Sequence, residues 1–407
     1  MANNNLSSAK NAKNDEFYTQ YGDIQKEIEA YLEYNPDVFR GKVVYCNCDD
    51  PFESNFFRYF VLNFNKLGLK QLITTSYKPS PVANTQLALF GDDKTLTKSK
   101  GRPKINANKF IINEVHDIDG DGEFNLKDVA KQLKTNKHNE WTPLVGDGDF
   151  RSDECINLLK QSDIVITNPP FSLFREYVKQ LFDYKRKLVI IGNMNAITYK
   201  EIFPLIKANK LWLGATGNGS DMVFAVPNGM EIAESDRQKA ARLGYVGDYT
   251  RLGNSCWFTN LDHGRRHKPL PLMTQADITK YSTKKPFKKY DNYNAIEISL
   301  VKNIPSDYDG VMGVPISFLD KYNPDQFEIL GATQRGCHDE VPDTKKYDDY
   351  WEVRQNGKKT GSSGGKTNEN ANLVGNDGKK NYFINKEGRI IQSAYQRIFI
   401  RHKKKII

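Results

Sequence analysis

The residues with the clearest chemistry are Asn168-Pro169-Pro170-Phe171. They follow the apolar run Ile164-Val-Ile-Thr167 and precede an amphipathic stretch, so they fall in a turn between a strand and a helix. In an open α/β sheet that is where ligands bind. Two consecutive prolines fix an extended, rigid turn. Such a turn can hold the side-chain oxygen of Asn168 and the backbone carbonyl of Pro169 as two fixed acceptors. An exocyclic amino group offers two N–H donors, but its lone pair is delocalised into the ring and it is a poor nucleophile. Two acceptors that draw the hydrogens toward tetrahedral geometry localise that pair for attack on an electrophilic methyl group. Phe171 can stack on the ring plane. No proton relay by His or Glu is needed before transfer. The bland alternative is a rigid turn with no chemistry.

The elements that must position this turn read as alternating strands and helices. Lys42–Cys46 is a strand, Ser54–Phe64 a helix and Leu69–Thr75 a strand, which makes one βαβ unit. Asp163–Thr167 and Leu188–Ile191 are further strands, separated by a helix over Leu173–Phe182, and Asn195–Lys207 reads as helical. Asp23 is placed to cap a helix carrying Ile24, Ile28, Tyr31 and Leu32 on one face. The pattern predicts an α/β fold with a doubly wound, mostly parallel sheet. Met222–Val226 and Cys256–Asn260 read as a closing antiparallel pair. Residues 78–106, rich in Lys, Pro, Ser and Thr, read as a flexible insertion, and alternation fades after about residue 262. The expected division is therefore 1–262 and 263–407, with residues 356–380 a low-complexity loop disordered when alone.

Composition sets bounds on function. A chain of 407 residues needs no disulfide or metal staple. No apolar run is long enough to span a membrane, and the N-terminus has no apolar signal region. The five cysteines form no CxxC pair and no zinc-type cluster, so no metal is expected and a reduced, cytoplasmic setting is. The net charge is +9, which suits a polyanionic partner. Between Gly264 and Tyr290 there are eight Lys or Arg and one acid, Asp277, with Tyr281, Phe287 and Tyr290 interleaved. That block is a better nucleic-acid footprint than the global count. Its candidate contacts are Arg265, Arg266, Lys268, Lys284, Lys285, Lys288 and Lys289.

In its frame of strand and helix, the NPPF turn resembles that of amino-methyltransferases using S-adenosylmethionine. The flanks sharpen the likeness. Asn14-Asp-Glu-Phe-Tyr-Thr-Gln20, Val43-Val-Tyr-Cys-Asn-Cys-Asp-Asp-Pro51, Ser54-Asn-Phe-Phe57, Gly146-Asp-Gly-Asp-Phe-Arg-Ser152, Thr167–Tyr177 and Gly313–Ile329 resemble the EcoRI-type adenine-specific DNA methyltransferases. The resemblance runs from about residue 11 to about residue 330. It implies a class I S-adenosylmethionine methyltransferase fold with a C-terminal DNA-recognition region. The implied reaction is N6-methylation of an adenine in a specific duplex site, as part of restriction–modification or as an orphan modification enzyme. The adenine would have to leave the stack to be reached.

The resemblance also implies cofactor residues. Tyr18 and Thr19 match the element that holds the methionine end. Asn47, Asp49 and Asp50 follow the first strand, in a turn with no glycine where most relatives are Gly-rich. Ser76 stands where many relatives carry an acid for the ribose hydroxyls. Asp149 matches an acceptor for the cofactor's adenine amino group, and Phe150 its stacking partner. Asn-Pro-Pro followed by an aromatic also serves RNA adenine and protein glutamine methyltransferases, so an RNA substrate stays open, as does an inactive DNA-binding protein on the same fold. Gln86-Leu87-Ala-Leu89-Phe90, inside the insertion, resembles the peptide by which bacterial proteins dock on the replication sliding clamp. The protein is expected to act as a monomer on double-stranded DNA.

Overall fold

The computed structural model describes residues 18–48, 54–77, 107–118, 120, 124–135, 138–216, 222–226, 232–282, 286–333, 340–363, 368–378, 381–394 and 396–403. The chain divides into two compact units: Met1–Ala196 with Leu211–Gly264, and Ile197–Lys210 with Arg265–Ile407. Strands are numbered in chain order.

The first unit is built on an eight-stranded sheet. Its centre is four parallel strands in the spatial order Gln71–Thr75 (β3), Val43–Cys46 (β2), Ile164–Thr167 (β6) and Lys187–Asn193 (β7). Asn108–Ile112 (β4) and Glu140–Pro143 (β5) extend the β3 side, and Ser255–Thr259 (β11) and Trp212–Leu213 (β8) the β7 side, each antiparallel to its neighbour. β4 and β11 therefore run against the central four, while β5 and β8 run with them. The sequences explain the centre: β2 is VVYC and β6 is IVIT, buried at every position, as a strand covered on both faces requires.

The helix Asn55–Leu62 covers one face. The Ser54 hydroxyl caps it by accepting from the N–H groups of Phe56 and Phe57. Its buried Phe56 meets Trp257 of β11, and Phe57 meets Phe110 of β4, both edge-on. Full burial of an aromatic of this size contributes about 1.5–3 kcal/mol. The helix Tyr21–Tyr34 buries Ile24, Ile28 and Tyr31, but Gln20, not Asp23, occupies the cap position and Asp23 lies within the first turn. The same face buries Glu27. Its carboxylate accepts from the N–H groups of Ala215 and Thr216 at 2.8 Å each, and from the Thr216 and Tyr31 hydroxyls at 2.6 Å each. That pins the segment after β8.

Three further expectations differ from the structure. Met222–Val226 and Cys256–Asn260 do not pair. Val223–Ala225 (β9) lies between Tyr18–Thr19 (β1) and Tyr249–Arg251 (β10) in a separate three-stranded sheet. An apolar run reports that a strand forms, not its partner, and β11 is buried throughout between β7 and β8. Asn195–Lys207 is not one helix: a 3-10 segment covers Met194–Thr198 and an α-helix Phe203–Lys207. Pro204 lacks an N–H and is tolerated only in the first helical turn.

The third concerns residues 356–380. The second unit holds a four-stranded sheet, Ile296–Glu297 (β12), Met312–Pro315 (β13), Arg397–His402 (β20) and Phe327–Ala332 (β14). It also holds a five-stranded sheet, Lys359–Ser363 (β16), Trp351–Arg354 (β15), Asn381–Ile384 (β18), Ile390–Ser393 (β19) and Asn372–Val374 (β17). The described part of 356–380 thus supplies two strands. Its apolar residues are few but well spent: Ala371 and Leu373 enter a core with Tyr290, Tyr293 and Phe399, and the Asn372 N–H donates to the buried Asn292 side chain at 2.9 Å. Among the described residues, no helix is long and apolar enough to cross a membrane.

Candidate functional site

The chain runs outward from β2 to β3 on one side and from β6 to β7 on the other. The strand order therefore reverses between β2 and β6, which pair in parallel through Val44↔Ile164 and Tyr45↔Val165. In open α/β sheets ligands bind at such a switch point, beyond the carboxyl ends of the strands. Asn47 follows β2 and Asn168 follows β6, so the two flank it. They are tied together by the residues around them. The Thr167 hydroxyl donates to the Asn47 carbonyl, and the Tyr177 hydroxyl donates to the Asn47 side-chain oxygen. Burial holds the Tyr177 hydroxyl well above its usual pKa, so it stays protonated and donating.

The NPPF turn sits in this frame. Asn168 and Pro169 are buried; Pro170 and Phe171 are half-buried. The carbonyl committed to the fold is that of Pro170, which accepts from the Leu173 N–H at 3.0 Å and starts a short 3-10 segment, Phe171–Leu173. The helix Phe174–Asp183 follows, with Phe174, Tyr177, Val178 and Leu181 on its buried face. Phe174 packs on Phe258 of β11, ring centroids 4.9 Å apart. It can do so because β7 carries Gly192: a Cβ there would lie 2.4 Å from the Phe174 ring.

Tyr18 and Thr19 form β1. The Asn55 amide donates to the Thr19 carbonyl at 2.8 Å, which ties β1 to the helix after the β2 turn. The Thr19 hydroxyl is buried and finds no hydrogen-bond partner among the described residues. A buried polar atom without a partner is costly. Its placement suits an oxygen- or nitrogen-bearing ligand such as the methionine end of the implied cofactor. Cys48, in the turn that lacks glycine, has φ of 64°, the left-handed conformation that glycine ordinarily supplies. Asp49 and Asp50 lie outside the described residues.

Ser76 does not fit its expected role. It is fully buried, its hydroxyl accepts from the Asn108 N–H at 2.8 Å, and Gly148 packs on its carbonyl so closely that a Cβ there would lie 1.9 Å away. It joins β3 to β4 and to the 146–150 loop, and has no surface to offer a ribose. Asp149 and Phe150 are held by a neighbour not singled out from sequence. Arg151 binds both Asp149 oxygens, at 2.6 and 2.8 Å, and lies 5.3 Å from the Phe150 ring centroid. Phe150 is 5% exposed and meets Tyr177 edge-on at 5.0 Å. Its position is that of a core aromatic under Arg151, so stacking on an adenine ring would require Arg151 to move.

Thr167, Tyr177 and Arg151 are the residues that sequence reasoning missed. Tyr177 carried a usable signal: it is the polar-tipped aromatic on the apolar face of the helix after the turn. Nothing local marked Thr167.

The basic block is less available to DNA than its count suggests. Arg265 pairs with Asp320 at 2.6 Å. Arg266 is buried and donates to the Asn209 side chain. Lys288 pairs with Asp377 at 2.6 Å. Arg266 is corrected to a buried hydrogen-bonding residue, and Arg265 and Lys288 carry acidic partners with which a phosphate would compete, because composition counts charges but not their partners. Lys268 and Lys289 are exposed. Lys284 and Lys285 lie outside the described residues, as do Gln86, Leu87, Leu89 and Phe90 with the whole of 78–106.

The family model for the adenine-specific methyltransferase EcoRI matches residues 5–403. The chain is 44% identical over 328 residues to the Type II methyltransferase M.EcoRI of Escherichia coli, covering 80% of this chain and 88% of that protein. It is 36% identical over 323 residues to the Type II methyltransferase M.MpnI of Mycoplasma pneumoniae, covering 79% and 83%. No solved structure matches the chain.

Proposed function

Because this chain belongs to the EcoRI family of adenine-specific methyltransferases, we propose that it methylates N6 of an adenine flipped out of a specific duplex DNA site, as the modification enzyme of a restriction–modification pair. A methyltransferase needs a methyl donor, and the donor proposed is S-adenosylmethionine, which supplies an electrophilic methyl group when bound. The observation that carries the reading is the placement of Asn168 across the switch point from Asn47, with Thr167 and Tyr177 locking one to the other.

The protein's own groups divide the work. The Asn168 side-chain oxygen and the Pro169 carbonyl accept from the adenine amino group and localise its lone pair. Pro170 fixes the path of the turn, and Phe171 stacks on the base. Tyr18, Thr19, Asn47, Asp49, Asp50, Asp149 and Phe150 hold the cofactor, with the Thr19 hydroxyl toward its methionine end. Asp149 and Phe150 become available to its adenine as Arg151 shifts toward Glu176, which stands 3.4 Å away. In the second unit, Lys268, Lys284, Lys285 and Lys289 contact phosphates. The protein works in the cytoplasm as a monomer. On the sliding clamp Gln86 makes a polar contact while Leu87, Leu89 and Phe90 enter an apolar cleft. A peptide spanning residues 80–92 should bind the clamp and lose affinity on Leu89→Ala and Phe90→Ala.

Methylation-sensitive long-read sequencing of DNA from cells expressing the protein tests the function. N6-methyladenine at one recurring motif is expected. Unmodified DNA together with new N6-methyladenine in RNA would replace the reading with the RNA alternative.

A further inference from the structure

A cleft of about 450 Å³ opens in the second unit, within the size range of ligand pockets. Met273, Tyr281 and Leu300 line it, and all three are large hydrophobic side chains left exposed, Tyr281 by 73%. Exposed apolar side chains gathered at one place mark a contact site. Phe287, also in the lining, has φ of 59°. A bulky aromatic in the left-handed region is strained, and such strain persists where the surrounding structure fixes it, often at a site that binds something.

The polar groups narrow the occupant. The Lys280 ammonium lies 5.5 Å from the Tyr281 ring centroid, and Lys302 is exposed at the cleft. Asn303 adds a polar side chain to the wall, and the Ser299 hydroxyl there donates to Glu297 at 3.2 Å. An exposed ring with a cation beside it is the combination by which proteins hold single-stranded nucleic acid, the base on the ring and the phosphate on the cation. The two acids of the lining already have cations: Asp377 pairs with Lys288 at 2.6 Å and Glu297 with Arg397 at 2.7 Å, while Lys280 and Lys302 are exposed.

We propose that this cleft receives one unstacked base of the DNA substrate, with Tyr281 as the stacking face and Lys280 and Lys302 on the flanking phosphates. The proposal rests on the DNA reading above and adds a second contact for an unpaired base besides the NPPF turn. It gives the recognition unit a way to hold a nucleotide that has lost its stacking partner.

Binding of a labelled single-stranded oligothymidylate to the full-length protein, followed by anisotropy over a range of salt, tests it. Tyr281→Ala should weaken binding about tenfold, and Tyr281→Phe, which still stacks, should stay within about twofold. Lys280→Ser and Lys302→Ser should each lower the log–log salt slope by about 0.7. Cofactor affinity should be unchanged in all four. If Tyr281→Ala binds the oligonucleotide as tightly as the unaltered protein, the cleft is not a base site. An apolar peptide competing for the cleft while the oligonucleotide does not would overturn the proposal too. Methylation of duplex DNA by the unaltered protein is scored separately, and its absence would count against the enzymatic reading, while the oligonucleotide measurement still decides the cleft.

Discussion

The hydroxyl of Tyr177 donates to the side-chain oxygen of Asn47, so the helix that follows the NPPF turn is pinned to the residue that ends the first parallel strand. The segments that leave β2 and β6 at the switch point are thereby held together, with a second hydrogen bond from the Thr167 hydroxyl to the Asn47 carbonyl. Tyr177 touches neither reactant in the proposed reaction, so it is a positioning residue.

Tyr177→Phe leaves the buried Asn47 oxygen without its donor, at a cost of about 1–3 kcal/mol. The ring still fills its space and the edge contact with Phe150 survives. Calorimetry should therefore show weaker S-adenosylmethionine binding with only a modest fall in melting temperature, and KM for the cofactor should rise more than kcat falls. If the melting temperature falls while cofactor affinity holds, Tyr177 is packing alone.

Asn168→Ala removes one of the two acceptors proposed for the target amino group. Loss of a fixed polar partner at a reacting centre costs about 10²–10³ in rate. Folding and DNA affinity should be retained, because the turn is shaped by its prolines and by the Pro170–Leu173 hydrogen bond. Single-turnover methylation near the unaltered rate would remove Asn168 from the chemistry.

The central strands and the NPPF turn were legible in the sequence because their signals are local. IVIT is a fully buried strand, and two prolines after it leave few conformations. Long-range facts were not local. Whether Met222–Val226 would pair with Cys256–Asn260 depends on which sheet needs a buried strand, and no periodicity reports that. Arg265 and Arg266 counted as available charge until Asp320 and Asn209 were placed beside them. Ser76 looked like a ligand residue by position along its strand, yet its hydroxyl serves Asn108. Residues 372–374 looked like linker because the pair Leu373-Val374 is the whole apolar signal in a run of Asn, Gly, Lys and Asp, although Leu373 is buried.

Gly192→Ala tests how the turn is supported from below. The added Cβ would lie 2.4 Å from the Phe174 ring, and Phe174 has no room to retreat because Phe258 lies on it. Overpacking of this kind costs about 1–3 kcal/mol. Since Phe174 opens the helix that follows the NPPF turn, methylation should fall further than stability does. Chemical denaturation beside steady-state kinetics would show the split, and equal stability with equal activity would mean that the helix yields freely.

Cys48 joins a strained backbone to a thiol in the turn after β2. Its φ of 64° places a non-glycine residue in the left-handed region, at a cost of roughly 1–2 kcal/mol. Cys48→Gly relieves that strain but loosens the unfolded chain by about 0.5–1 kcal/mol, so the net change should be small and stabilising. Cys48→Val puts a β-branched side chain in the same conformation and should destabilise. Expected melting temperatures therefore rank Gly at or above Cys, and Cys above Val. Activity gives a second readout. Methyl transfer to an amino group held by Asn168 and Pro169 needs no thiol, so Cys48→Gly should methylate DNA at close to the unaltered rate. A large loss of kcat in a folded Cys48→Gly protein, with cofactor affinity intact, would mean that the thiol takes part in the reaction and that the two-acceptor mechanism is incomplete.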